Sequence, residues 1–199
     1  MDVDDAILWI AKKHAGQKRK HSKIPYFSHC METMKRVSIY QQKSELNSDE
    51  ILIAALGHDL IEDTEVTYED VVDTFGRHIA TVIRECSRPK TSISLKDKYS
   101  FLKSFQHKSK SALLIKIADR SCNVSDFSNE METNNYASKY ALQAYPLLQA
   151  AIKAFPENSI INADLNFLNI IVQMEYSINM FSKDNEIEIK NLLFNEEKL

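Results

Sequence analysis

The fold of this chain is decided by one stretch, ILIAALGHDLIEDT at residues 51–64, in which an apolar helix leads directly into a pair of polar residues. Leu, Ile and Ala alone occupy residues 51–56, which predicts a helix buried on most of its faces. His58 and Asp59 follow Gly57. Burying an imidazole beside a carboxylate is costly unless a partner compensates them, and a metal ion is an efficient partner. The stretch therefore predicts a helical fold built around a metal site.

The composition favours helices along the whole chain. Its 199 residues include only three glycines and four prolines, so tight β-turns are scarce while helix formers are plentiful. The length suits one domain of ordinary size. We predict an all-α helical bundle that forms a single domain over residues 1–199, with a motif-bearing core at about 3–127 and C-terminal helices at about 133–199.

Local signals predict where the first and the later helices begin and end. Asp4 and Asp5 suit a helix start, and this first helix is predicted to run to about Lys20. Pro25 marks the entry to the second helix. Pro146 is predicted to kink the first of the C-terminal helices.

Capping signals surround the middle helices. Asn47 is predicted to cap the apolar helix, and Thr67 with Asp70 is predicted to form a capping box. Gly76 is a natural stop for the helix that follows this box. A further polar helix is predicted from Lys96 to His107.

The charge balance and the termini restrict the partners and the compartment. Lys and Arg number 25 against 28 for Asp and Glu, a net charge of −3, which gives no global positive field for nucleic acid or an anionic membrane. The first residues are acidic where a signal peptide is basic, and no apolar run approaches the ~20 residues of a membrane helix. The three scattered cysteines fit reduced thiols. We expect a soluble, cytoplasmic protein with no nucleic-acid or membrane partner.

Polar residues also interrupt apolar segments elsewhere in the chain. Asp119 and Arg120 end the apolar run at residues 113–118, and His29 falls in the first turns of the second helix. A helical bundle can bring such residues together. Nitrogen and oxygen ligands with open positions for water favour Mn, Fe or Zn over a closed structural zinc site. The predicted metal ligands are His29, His58, Asp59 and Asp119.

Two acids follow the His58-Asp59 pair. If the helix persists for one more turn, Glu62 stacks near His58 and Asp63 near Asp59. A metal lowers the pKa of its bound water, and a neighbouring carboxylate can orient that water or take its proton as it attacks phosphorus. Glu62 is therefore the first predicted catalytic acid, with Asp63 assisting.

Basic residues near these groups are predicted to meet an anionic substrate. A basic run at residues 12–23 lies immediately before His29. Lys116 and Arg120 lie one helical turn apart, so they are predicted to share a face near Asp119 and to contact the substrate.

Four sequence words carry a resemblance to a known family. They are HAGQKRK at 14–20, PYFSH at 25–29, HDLIEDT at 58–64, and KIADR at 116–120 with Asn123. The order H...HD...D resembles the HD superfamily, and the surrounding words resemble the hydrolase domain of the RelA/SpoT homologue group over roughly residues 3–127. By length the chain resembles the small alarmone hydrolases, the stand-alone form similar to the metazoan SpoT homologue.

The resemblance implies a fold, an activity and roles for particular residues. The implied fold is the HD-domain helical bundle, with Mn²⁺ on the four predicted ligands, although other divalent cations remain open. The implied activity is hydrolysis of the 3′-pyrophosphate of guanosine tetra- or pentaphosphate, with a nucleotide alarmone as the partner. The implied roles are Glu62 and Asp63 as catalytic acids, Arg19 and Lys20 near the nucleotide, and Asn123 near the base or ribose.

Departures from the family pattern leave alternatives open. Cys30 stands where proline is frequent, Ser121-Cys122 replaces a pair that usually contains leucine, and residues 21–24 lack a common glycine. These positions lie near the expected nucleotide pocket, so an adenine alarmone is an alternative substrate. Another HD-type nucleotide phosphohydrolase is a second alternative. A catalytically silent nucleotide sensor is a third, and the intact Glu62-Asp63 pair argues against it.

Overall fold

The computed structural model describes residues 1–19, 22–42, 46, 48–91, 94–127 and 144–156. Within these ranges the regular elements are helices, and the one β-type pairing is an isolated antiparallel bridge between Lys18 and Pro25. The predicted all-α class is confirmed. Among the described helices, none combines the length and the apolar character that a membrane crossing requires.

In chain order the described helices are α1 (Val3–Lys13), α2 (Phe27–Gln41), α3 (Asp49–Leu56), α4 (Leu60–Asp63), α5 (Tyr68–Phe75), α6 (Arg77–Cys86), α7 (Leu95–Lys103), a 3₁₀ helix (Ser104–His107), α8 (Lys110–Phe127) and α9 (Tyr145–Ala154).

Helices α3 and α8 form the centre of the bundle. Helix α3 packs against α1, α2 and α6, whereas α8 packs against α2, α6 and α9. Residues 53–56 of α3 and 111–122 of α8 are all buried. A helix enclosed on every side is normally apolar all round. The lysine, aspartate and arginine at positions 116, 119 and 120 of α8 are therefore exceptional and need partners.

The predicted capping signals of α5 are confirmed. The Thr67 hydroxyl accepts from the Asp70 N–H at 3.1 Å, and the Asp70 carboxylate accepts from the Thr67 N–H at 2.9 Å. Gly76 follows the helix with φ of 88°, a conformation that glycine adopts readily. The cap predicted for α3 is wrong by one position, because Ser48 rather than Asn47 accepts a first-turn N–H. Asn47 itself lies outside the described residues.

Helix α1 ends at Lys13 and not near Lys20, so the predicted end is wrong. The chain turns at Gly16, where φ is 81°, and then folds back on itself. The Arg19 N–H donates to the Ile24 carbonyl at 2.9 Å. A left-handed glycine and a returning chain are incompatible with a continuing helix.

The later helices also differ in detail from the predictions. The helix predicted from Lys96 to His107 is α7 followed by the 3₁₀ helix. Pro146 lies in the first turn of α9, where its missing N–H has no helical partner to lose, so it begins the helix and does not kink it. The other predicted C-terminal helices fall outside the described residues.

Gly57 provides the space that the polar pair needs, and we expect Gly57→Ala to destabilise the fold. A Cβ there would lie 2.9 Å from Leu60 Cδ1 and 3.0 Å from Ile83 Cδ1, and both side chains are fully buried. Overpacking of this kind typically costs ~1–3 kcal/mol, which urea denaturation would measure as a lowered midpoint. Ile83→Val removes one of the two clashing atoms, so the double variant should lose less than the sum of the single losses. Additive losses would contradict this explanation.

Candidate metal centre and active site

Three helices bring the four predicted ligands to one point. His29 lies in the first turn of α2, His58 and Asp59 lie in the turn between α3 and α4, and Asp119 lies within α8. Each of the four is at most 7% exposed. One ligand atom each from His29, His58 and Asp119 lies within 4.8 Å of the others. Asp59 Oδ2 lies 2.9 Å from His58 Nε2 and 3.8 Å from His29 Nε2.

The hydrogen bonds of His58 show why this cluster fits a cation. Nδ1 of His58 lies 2.8 Å from the Ala55 carbonyl, which only accepts, so Nδ1 carries the proton. Nε2 of His58 is buried, has no hydrogen-bond partner among the described residues and lies 2.9 Å from a carboxylate oxygen of Asp59. A nitrogen and a carboxylate that face each other in a buried site need a positive charge between them. A proton on Nε2 supplies this charge in the metal-free protein, and a divalent cation bound there would replace that proton.

Asp119 is held through both of its oxygens. Its Oδ2 lies 2.8 Å from the Lys116 ammonium. Its Oδ1 accepts from Asn123 Nδ2 at 2.5 Å and lies 3.1 Å from His29 Nε2. The carboxylate therefore has a defined orientation before any ligand arrives, which is what a preorganised metal ligand requires.

The charges of the centre are strongly coupled. Burial opposes the charged form of His58, but the Asp59 and Asp119 carboxylates outweigh it and raise the pKa of His58 to about 10. Burial likewise opposes ionisation of Asp119, yet Lys116 and the two histidines hold the pKa of its carboxyl well below its usual range. Burial also opposes ionisation of Asp59, but the His58 imidazole holds the pKa of its carboxyl below the ordinary value. Both carboxylates are thus ionised at neutral pH, and a cation that binds there must displace the proton of His58.

The interrupted helix changes the setting of the two predicted catalytic acids. Helix α3 ends at Leu56, so the uninterrupted helix assumed for Glu62 and Asp63 does not exist, and the short α4 carries them instead. Glu62 is held by Arg88: the Arg88 N–H donates to Oε2 and its guanidinium to Oε1, both at 2.9 Å. Sequence reasoning missed Arg88, because no local spacing links it to α4.

Asp63 lies at the exposed edge of the site. Partial desolvation and the carboxylates of Asp59 and Glu62 raise the pKa of Asp63 to about 6. Its backbone carbonyl accepts from Gln17 Nε2 at 2.7 Å, which ties α4 to the loop after α1. A carboxyl with a pKa near neutrality is suited to proton exchange at physiological pH.

Tyr26 is a further site residue that the sequence reading did not single out. Its hydroxyl donates to Asp59 Oδ2 at 2.5 Å, and its ring lies edge-on to His29 with centroids 5.6 Å apart. It therefore orients one metal-ligand candidate and packs against another. Its position three residues before His29, inside the PYFSH word, was the available signal.

The predicted substrate residues separate into two groups. Arg19 and Asn123 meet, with Arg19 Nη2 donating to Asn123 Oδ1 at 3.1 Å, so they form one side of the site. Arg19, Lys116 and Arg120 are all buried, at 8%, 6% and 7% exposed, but the Lys116 ammonium contacts Asp119 and not Asn123. Lys20 lies outside the described residues.

Comparison with known proteins identifies the fold that carries this geometry. A family model described as the HD domain matches residues 6–151. The chain belongs to the HD domain family. Membership of the HD domain family implies a divalent metal, and the buried cluster of two histidines and two aspartates in the described part of the chain fits one.

Relatives within the HD family include guanosine-3′,5′-bis(diphosphate) 3′-pyrophosphohydrolase MESH1 of Xenopus tropicalis. It is 31% identical over 123 residues, which cover 61% of this chain and 67% of the frog protein. A probable guanosine-3′,5′-bis(diphosphate) 3′-pyrophosphohydrolase of Mycoplasma pneumoniae is 29% identical over 174 residues, but the match covers only 23% of that longer protein. The resemblance to the RelA/SpoT homologue group and its small alarmone hydrolases is confirmed.

A solved structure of this HD type is also similar. It belongs to a metazoan orthologue of SpoT that hydrolyses ppGpp, and it matches with a TM-score of 0.72 at 25% identity. The match covers 83% of this chain and 92% of that one, so the two HD domains share their overall arrangement and not only a motif.

Proposed function

We propose that this chain hydrolyses the 3′-pyrophosphate of guanosine 3′,5′-bis(diphosphate) and releases pyrophosphate, using a divalent cation, Mn²⁺, bound by His29, His58, Asp59 and Asp119. The observation that carries the proposal is the buried cluster of these four side chains, in which Nε2 of His58 lies 2.9 Å from the carboxylate of Asp59. The curated relatives named for this activity support the choice of substrate.

A cation held there activates water and polarises the phosphoryl group. The water oxygen attacks the phosphorus attached to the ribose 3′ oxygen, the bond from phosphorus to that oxygen breaks, and pyrophosphate leaves. A proton is lost from the water and one is gained by the 3′ oxygen, so the site needs groups that take and return protons.

Glu62 and Asp63 are the proposed proton-handling groups. Glu62 is fixed in place by the two contacts from Arg88, which restricts the orientations of its carboxylate. Asp63 stands at the solvent edge with a pKa of about 6, so it exchanges protons readily near neutral pH.

Arg19 and Asn123 form the proposed nucleotide side, and Lys20 is proposed to extend it. Arg19 brings a guanidinium, which suits bidentate binding of phosphate. Asn123 touches both Arg19 and the ligand candidate Asp119, so it links the nucleotide side to the metal side. This arrangement provides the local positive charge that a chain with a net charge of −3 needs for a poly-anionic substrate.

Product analysis tests the proposal directly. Metal-free protein reloaded with Mn²⁺ should convert guanosine tetraphosphate to GDP and pyrophosphate, and a chelator should abolish the reaction until Mn²⁺ is restored. Ion-exchange chromatography separates the products. Release of orthophosphate would instead indicate another nucleotide phosphohydrolase. Faster turnover of the adenine counterpart would show that the preferred substrate is an adenine alarmone. Tight nucleotide binding without product under any divalent cation would indicate a sensor.

A further inference from the structure

Lys116 places a positive charge inside a group of acids. It is 6% exposed, and its ammonium lies 2.8 Å from Asp119 Oδ2 and 5.8 Å from the centre of the Phe101 ring. A buried ammonium needs a charged partner, and the Asp119 carboxylate provides it.

The two oxygens of Asp119 have different surroundings as a result. Oδ2 is occupied by the Lys116 ammonium. Oδ1 faces the imidazoles, at 3.1 Å from His29 Nε2 and 3.8 Å from His58 Nε2. The ion pair spans one helical turn within the buried segment 111–122 of α8, so the helix backbone fixes the spacing of both partners.

We propose that Lys116 is a positioning residue of the metal centre and not a substrate contact. By holding Oδ2, it directs Oδ1 of Asp119 towards the space between the two histidines. It also compensates the negative charge of Asp119 inside the protein, because an unpaired buried carboxylate is costly. This inference rests on the metal centre of the proposed function.

Titration of the metal-free protein with Mn²⁺, without nucleotide, tests it. Lys116→Met keeps the length of the side chain but removes the charge, so the Kd for Mn²⁺ should rise by about 10- to 100-fold, the usual effect of losing an outer-shell partner. Lys116→Arg keeps a charged donor and should restore part of the affinity. Lys110→Met, on the exposed start of the same helix, is the matched control and should bind like the wild type. Calorimetry gives the Kd, and circular dichroism verifies the fold.

The outcomes separate this inference from the proposed function. If the wild type binds no divalent cation, the metal centre itself is wrong. If the wild type binds Mn²⁺ and folded Lys116→Met binds it equally well, the positioning role is overturned while the centre stands. If Lys116→Met raises the KM for the nucleotide but leaves the Kd for Mn²⁺ unchanged, Lys116 contacts the substrate and is not a positioning residue. Should Lys116→Met fail to fold, Lys116→Gln, which keeps a neutral donor, provides the same comparison.

Discussion

Replacing His58 with alanine should lower hydrolysis of guanosine tetraphosphate by at least about 1,000-fold, because a bound cation contributes several kcal/mol of transition-state stabilisation and each ~1.4 kcal/mol is tenfold in rate. His58 is fully buried, and its Nε2 lies 2.9 Å from Asp59 and 3.8 Å from Asp119. Its removal deletes one of the four proposed ligands. Elemental metal analysis of the purified variant should show a matching loss of the bound divalent cation.

His78→Ala is the matched control for this experiment. The His78 side chain is 67% exposed on α6, and its one described ionic partner is Glu50 at 3.9 Å. A pair this exposed contributes little to stability. The control should retain both metal and activity. A His58→Ala protein that keeps full metal content and turnover would contradict the assignment of the centre.

Neutralising the acids of α4 should impair turnover while leaving metal binding intact. Glu62→Gln and Asp63→Asn are each expected to lower kcat by about 10²- to 10⁴-fold, the range for a positioned acid or base. Neither residue belongs to the cluster of four, so metal content should remain at the wild-type level. Glu65→Gln, an exposed acid on the same stretch, should have kcat close to that of the wild type.

Comparing kcat and metal content in these two variants distinguishes acids that transfer protons from acids that support the cation. Gln at position 62 still accepts from the Arg88 N–H but loses the ionic contact with its guanidinium, so a change in stability is expected as well. Asn at position 63 removes a carboxylate with a pKa of about 6 and has no ion pair with an arginine to lose. Loss of metal from either variant would show that α4 supports the cation instead of handling protons. Unchanged kcat in both would exclude the pair from catalysis.

Most of the candidate site could be predicted from polar residues that interrupt apolar segments. His58-Asp59 directly follows the apolar helix α3, and Asp119 lies within a buried part of α8. A charged residue is unusual at such positions, so each could be recognised as a site candidate from the sequence. The capping box at Thr67 and the stop at Gly76 are likewise local, because a cap depends only on residues within one turn. Such features are readable before the helices are assembled.

Other features depend on which helices meet. Helix α1 ends early because the following loop folds back, and Gly57 lies so close to Leu60 and Ile83 that a larger side chain would clash with them. Hydrogen bonds connect Arg88 to Glu62 and Tyr26 to Asp59, and the partners of each bond lie far apart in the chain. No periodicity in the sequence specifies these pairs.

Taken by itself, the sequence determined the all-α class, the four ligand candidates around the ILIAALGHDLIEDT stretch and the two acids that follow it. Only the tertiary structure decided how the surrounding side chains are used. It joined Arg19 to Asn123, two residues that the sequence had placed near the nucleotide without linking them, and it brought Arg88 to Glu62. The physical reason is that residue type limits what chemistry a side chain can perform, whereas its partner is selected by the packing of helices that brings distant residues within hydrogen-bond reach.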